Sequence, residues 1–225
     1  MNAATLARMK VISGTTEELI NSIKESTKTQ RFSGLIESVI YRLPDNPEEI
    51  LALSMWDSLR SLPNFEENYK RPANQEITTR SRIISRQTYK LVKDFRTVSS
   101  SVGASHIRLM TFHTSEPEKR LKQAIDNVTQ IRAAAAGLGH VGVWMGRLVE
   151  EPTSNTLSLL SRHDWRSAED QRAFLDNSLT KSLRAQNQAE GTEVVIAAFN
   201  LDGLVRLEQL DNRETIDAVN RTGRL

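Results

Sequence analysis

The sequence predicts an α+β protein made of two ferredoxin-like halves, each of β-α-β-β-α-β order, with their antiparallel sheets packed around a shared interior. Three observations predict it. A short phrase, Trp-x-Ser followed by six residues and Phe, occurs as Trp56, Ser58 and Phe65 and again, 109 residues on, as Trp165, Ser167 and Phe174. Hydrophobic periodicity gives the same order of elements on both sides of a small, polar stretch at 97–105. Apolar residues also fill consecutive strand positions, as in Ile50-Leu51-Ala52-Leu53 and Val194-Val195-Ile196. Such runs indicate strands buried on both faces, with helices on one side and the twin sheet on the other.

In the first half, 7–13 reads as a strand. Thr15 and Thr16 followed by Glu17 and Glu18 open a helix whose apolar face carries Leu19, Ile20 and Ile23. Gly34 breaks the helical pattern, and the β-branched run 35–43 is a strand. The segment 44–49, rich in Pro, Asp and Asn, is its hairpin turn. The return strand is 50–56, and a helix runs from Ser58 to about Tyr69. An extra helical segment near 73–86 leads to a last strand at 88–98. The second half repeats the series: strand 106–113, helix 115–134, a break at Gly137-Leu138-Gly139, strand 140–149, turn 150–155, strand 156–165, helix 167–186 and strand 192–199. Arg42-Leu43 and Arg147-Leu148 occupy matching places. The expected division is a first half at 1–98, a linker at 99–105, a second half at 106–210 and a charged tail at 211–225.

Composition narrows the function. With 225 residues, 38% hydrophobic and 26% charged, the chain has the balance of a folded globular protein. A net charge of +2 gives little general affinity for nucleic acid. The absence of cysteine removes disulfides, thiolate metal sites and a Cys nucleophile. No apolar run reaches the ~18 residues of a membrane span, and the first residues lack the apolar core of a signal peptide. A cytoplasmic protein with no membrane association is the expectation.

All four histidines, His106, His113, His140 and His163, fall in the second half. None pairs with another at a ligand spacing on one element, so no metal site is expected. By the period-two rule His163, Trp165 and Ser161 share one strand face, with Trp144 on the neighbouring hairpin strand and His113 ending the first strand of that half. These residues suggest a cavity with an aromatic wall and a titratable base. The plain alternative is that Trp56 and Trp165 are core residues at a corner. Gly142 and Gly146 flank Trp144 along its face and are expected to leave space beside the indole. The segment 70–96 holds eight Lys/Arg against two Asp/Glu. It reads as a solvated basic helix face, since no nucleic-acid-binding signature accompanies it. Gly137-x-Gly139-x-x-Gly142 precedes a strand rather than opening a helix, which is the wrong context for a dinucleotide loop.

The repeated Trp-x-Ser corner, a strand end leading into an amphipathic helix, resembles the antibiotic biosynthesis monooxygenase family of dimeric α+β barrels. That resemblance implies that each half corresponds to one family subunit, so that a fused tandem forms the barrel within one chain. A homo-oligomer of such tandems is compatible with the same resemblance. It also implies a cofactor-independent monooxygenase, whose planar aromatic or polycyclic substrate forms a carbanion that reacts with O2 directly. In that reading His163, Trp144 and Arg162 are the catalytic candidates, and Trp165, His113, Arg108, Phe174 and Tyr41 contact the substrate. Phe65 and Phe174 stand where many members carry His or Trp, and no histidine lies near Gln75 or Arg184, where the haem-degrading branch places its ligand. Haem chemistry is therefore not expected. The rival reading is a catalytically silent tandem barrel that binds a ligand or a partner protein.

Overall fold

The computed structural model describes residues 2–29, 32–43, 45–62, 74–96, 102–178, 181–182, 185 and 193–200, with backbone alone for 27–29, 136 and 193–200. The first half contains β1 (Ala3–Val11), α1 (Thr16–Thr29), β2 (Leu35–Leu43), β3 (Asn46–Trp56), a 3-10 turn at Leu59–Ser61, α2 (Gln75–Arg80) and β4 (Ser81–Asp94). The second contains β5 (Ala104–His113), α3 (Pro117–Ala135), β6 (His140–Leu148), β7 (Thr156–Trp165), α4 (Ala168–Asp176) and β8 (Glu193–Asn200).

Local sequence accounts for the ends of these elements. Before α1, Thr15 Oγ1 accepts from the Glu18 amide while the Glu18 carboxylate accepts from the Thr15 amide, at 3.2 and 2.8 Å. This reciprocal pair satisfies two donors that a helix start leaves open. Ser167 Oγ does half of the same task for α4, accepting from the Asp170 amide. Gly34 and Gly139, just before β2 and β6, both have left-handed backbone with φ near +80° (79° and 81°), which glycine adopts without Cβ strain. The matched arginines do matched work: Arg42 pairs with Glu17 in the first turn of α1, and Arg147 with Glu118 in the first turn of α3.

The eight strands close into one barrel in the order β1-β3-β2-β8-β5-β7-β6-β4. Each half contributes four adjacent strands in ferredoxin-like order. The halves therefore join edge to edge as well as facing each other. One seam runs from Tyr89↔Leu148 to Asp94↔Trp144, and the other is at Arg42↔Ala198. An eight-stranded barrel is just wide enough for side chains to fill. Here both halves fill it, with Leu6, Val39, Leu53 and Tyr89 meeting Ile107, Trp144 and Leu160. Outside the sheet, Leu19 and Ile20 of α1 cover Met9, Ile40 and Ile50. Ala124 and Val128 of α3 cover Met110, Met145 and Leu159.

Several boundaries differ from expectation; β1 starts at Ala3 and β3 at Asn46, each four residues before the expected start. β4 starts at Ser81, because the stretch from Arg82 to Thr88 pairs with β1 along its length. The basic segment is thus largely barrel strand and not a helix face, and Arg80 and Arg96 within it are paired with Glu18 and Asp94. β5 starts at Ala104, inside the expected linker. Residues 63–73, including Phe65, lie outside the described residues, as do 97–101, Arg184 and the tail beyond 200.

Candidate functional site

The two corner tryptophans fix how the halves compare. Ala3 faces Trp56 across β1 and β3, and Ala104 faces Trp165 across β5 and β7. Both indoles point away from the barrel interior and donate Nε1–H at 3.1 Å, Trp56 to Thr5 Oγ1 and Trp165 to His106 Nδ1. Thr5 and His106 are therefore equivalent positions. Following the strand registers, Ala7 matches Arg108, Ala52 matches Ser161, and Ser54 matches His163. On the sheet face under the helices, the first half puts small side chains where the second puts two imidazoles and a guanidinium.

Space follows from that difference. Between the first-half sheet and its helices lies a mostly apolar cavity of about 90 Å³, floored by Thr5, Ala7, Ala52 and Ser54. Ile23 and Ser26 of α1 and Asn74 and Ile77 at α2 roof it, and Arg86 of β4 stands at its rim. Asn74 is 2% exposed, and its Oδ1 accepts from Ser26 Oγ. Arg86 also lines an open groove with Leu59, Thr88 and Leu148, so it lies between the cavity and solvent. The equivalent space in the second half is reduced to about 30 Å³, between β5 and α3.

What fills the second half is a stack of rings. His106 and His163 lie parallel with centroids 4.8 Å apart, and His106 stacks on Trp165 at 5.9 Å and on Phe174 at 6.4 Å. His140 Nε2 lies 3.3 Å from His163 Nδ1. Burial, reinforced by His106, His140 and Arg108, pushes the His163 imidazole well below its ordinary range. Burial, with Arg132, lowers His140 to about 4. Both rings are neutral at pH 7. Among the described residues no three His, Asp or Glu side chains converge as a metal site would require.

The sheet divides the residues singled out from sequence. His163, Trp165, Arg108 and Phe174 belong to the layer under the helices. Trp144, Arg162 and Tyr41 point into the barrel. Trp144 is the strand partner of Arg162, while His163 is the partner of Val143. The expected grouping of Trp144 with His163 is thus corrected by strand alternation, which sets neighbours on opposite faces. The space expected beside Trp144 is absent too: a Cβ on Gly146 would sit 2.3 Å from the indole, so the ring itself occupies the room the glycine leaves. Gly142 instead accommodates the Arg96 backbone. Arg162 is committed to Glu37 and Asp164, and Tyr41 Oη meets Ser105 Oγ at 3.0 Å. His113 is exposed at the far end of β5 from His106. Sequence reasoning passed over Thr5, Ala7, Ser54, Asn74 and Arg86. The available signal was the alignment of the two halves, read for small residues opposite large ones.

No family model matches the sequence, and no curated protein matches it. Solved structures do. An anthrone oxidase-like protein superposes with a TM-score of 0.61 at 14% identity, over 94% of this chain and 97% of the other. A candidate monooxygenase from Fusobacterium nucleatum gives 0.61 at 8% identity, over 93% and 96%. A variant of chlorite dismutase from Candidatus Nitrospira defluvii gives 0.53 at 10%, over 91% of each chain. The likeness is one of fold. It bears out the architecture implied by the repeated corner, a dimeric α+β barrel formed within one chain. Among the described residues, no helix is long and apolar enough to cross a membrane.

Proposed function

We propose that this chain is a cofactor-independent monooxygenase whose working pocket lies in the first half, residues 1–98, while the second half, 106–210, is its filled counterpart. The observation that carries the reading is the replacement of His106, Arg108, Ser161 and His163 by Thr5, Ala7, Ala52 and Ser54, which opens a cavity under α1. Arg86 and Asn74 supply charge and amide polarity at an otherwise apolar surface. A small phenolic or enolisable ring fits that chemistry. Apolar walls exclude water, and a guanidinium at the rim favours the substrate's anion over its neutral form. The acidified ring proton leaves to water at the Arg86 rim, and the electron-rich carbanion then passes electrons to O2. Overall, a ring CH2 and O2 become a ring C=O and H2O, with no external reductant.

Size bears on the substrate. A benzene-binding engineered cavity is roughly 150 Å³, so a cavity of about 90 Å³ admits one ring only if α1 gives slightly, and a polycycle only if it moves further. The substrate is accordingly a single substituted ring. The second reading, a ligand-binding barrel without catalysis, is favoured by the lining, whose described residues include no carboxylate or imidazole to serve as a base. Oxygen uptake with chelator present, across single-ring hydroquinones and cyclic 1,3-diketones, with tricyclic anthrones as the size control, tests both. Uptake above the uncatalysed rate, lost in Ala7→Leu and in Arg86→Gln, supports the oxygenase. Saturable binding without uptake supports the second reading.

A further inference from the structure

The small space left in the second half has a chemistry of its own. It lies between β5 and α3, and its polar side chains are Arg108, Arg120 and Asn127. Its described lining carries two guanidinium groups and no carboxylate. Arg108 is 8% exposed, so its charge acts through low-dielectric surroundings. That charge is one of the influences felt at the buried His163 ring, after burial itself and the two neighbouring imidazoles. Arg120 comes from the helix above, its guanidinium held 4.5 Å over the Phe112 ring and its Nη1 donating to Gln123 Oε1 at 3.1 Å. It is thereby pre-oriented before any ligand arrives. Beside Arg108, on the adjacent strand, Ser161 is fully buried and its Oγ has no hydrogen-bond partner among the described residues. The cavity measures about 30 Å³. A water needs about 10–15 Å³ on that measure, so the occupant has a few heavy atoms at most.

We propose that this pocket binds a small oxyanion or monocarboxylate, held by Arg108 and Arg120 with Asn127 as a further donor. Guanidinium groups recognise planar oxyanions through paired N–H donors, which favours formate-like and nitrate-like shapes over a spherical halide. The site stands in the second half where the first half has its larger apolar cavity. Ala7 in place of Arg108 is why the first half lacks it, so one fold offers an apolar pocket on one side and an anion pocket on the other.

The test is calorimetric titration of the whole chain with sodium formate, acetate, nitrate and phosphate at constant ionic strength, with sodium chloride as the reference. The expected result is saturable one-site binding of at least one oxyanion with no matching signal from chloride. Affinity should fall tenfold or more in Arg120→Gln and in Asn127→Leu, with both variants retaining the native circular dichroism spectrum. Binding should persist in Ala7→Leu, which separates this site from the first-half pocket. A stronger response to formate and acetate names a carboxylate ligand, and a stronger response to nitrate or phosphate a mineral oxyanion. Equal responses to all salts including chloride, or unchanged titrations in both variants, would overturn the proposal.

Discussion

The guanidinium of Arg162, on β7, reaches across the barrel to the carboxylate of Glu37, on β2, with two near-parallel hydrogen bonds of 2.7 and 3.0 Å. Both side chains are at most 4% exposed, and Asp164 completes the cluster at 2.8 Å. Burial works against the charge on Arg162, and the carboxylates of Asp164 and Glu37 more than offset it. This contact joins the two halves through side chains withdrawn from solvent. Removing one partner strands the others, at a typical cost of about 3–5 kcal/mol. Arg162→Met should therefore lower unfolding free energy by about that much in urea titration. Replacing Arg162, Glu37 and Asp164 together by apolar residues should recover much of the loss. A single variant as stable as the parent would show that the pair carries no net stability.

Acid should weaken the second half through its histidines. The folded chain keeps His163 and His140 neutral, whereas in the unfolded chain each binds a proton near pH 6.5. The unfolded state then holds more protons as pH falls, so their contribution to stability is complete above about 6.5 and declines below it. For His140 the decline ends near pH 4, and for His163 it extends further down. Melting temperature measured from pH 8 to 4 should fall across that window, and His163→Gln should flatten the curve. A curve of the same slope in that variant would remove His163 from the explanation.

The two left-handed glycines should behave alike. Gly34→Ala and Gly139→Ala each force a Cβ onto backbone with φ near +80° (79° and 81°), at about 1–2 kcal/mol. In each case the new methyl also meets a side chain, Ser61 Oγ at 2.2 Å for Gly34 and Asp170 Oδ2 at 2.2 Å for Gly139. Equilibrium denaturation of both variants should give similar losses. A neutral result at either position would mean that the backbone there relaxes to negative φ.

Neither half should stand alone. Residues 1–98 by themselves would expose the barrel-facing side of Leu6, Val39, Tyr41, Leu53 and Tyr89. A contiguous apolar face of that kind drives association. Size-exclusion chromatography should find a replacement homodimer or aggregate. A well-folded monomer would contradict the shared interior.

Much of the fold was legible because duplication writes each signal twice. The boundaries of β2 at 35–43 and of β7 at 156–165 follow from apolar runs ended by Gly, Pro or Asn, and the structure places them there. β4 starts earlier than expected because Arg82, Ser85 and Arg86 mask a strand that depends on pairing with β1. The site was less legible. Sequence spacing gave the correct shared face for His163 and Trp165, but could not say that Trp144 faces the opposite side. That depends on the register between β6 and β7, which shifts by a residue between His140 and Gly142. Reading for chemically conspicuous residues also drew attention to the half that is filled. A cavity is marked by what is missing, and Ala7, Ala52 and Ser54 look unremarkable until set beside Arg108, Ser161 and His163.

The pairing of Arg162 with Glu37 occurs once. At the position matching Arg162 the first half has Leu53, the strand partner of Val39 just as Arg162 is the partner of Trp144. A barrel assembled from two identical subunits would have to write every charge twice, related by its axis, and could place no lone cluster off centre. Carrying both halves on one chain releases that constraint. Each position becomes free to drift separately, so one wall can specialise while the other holds shape.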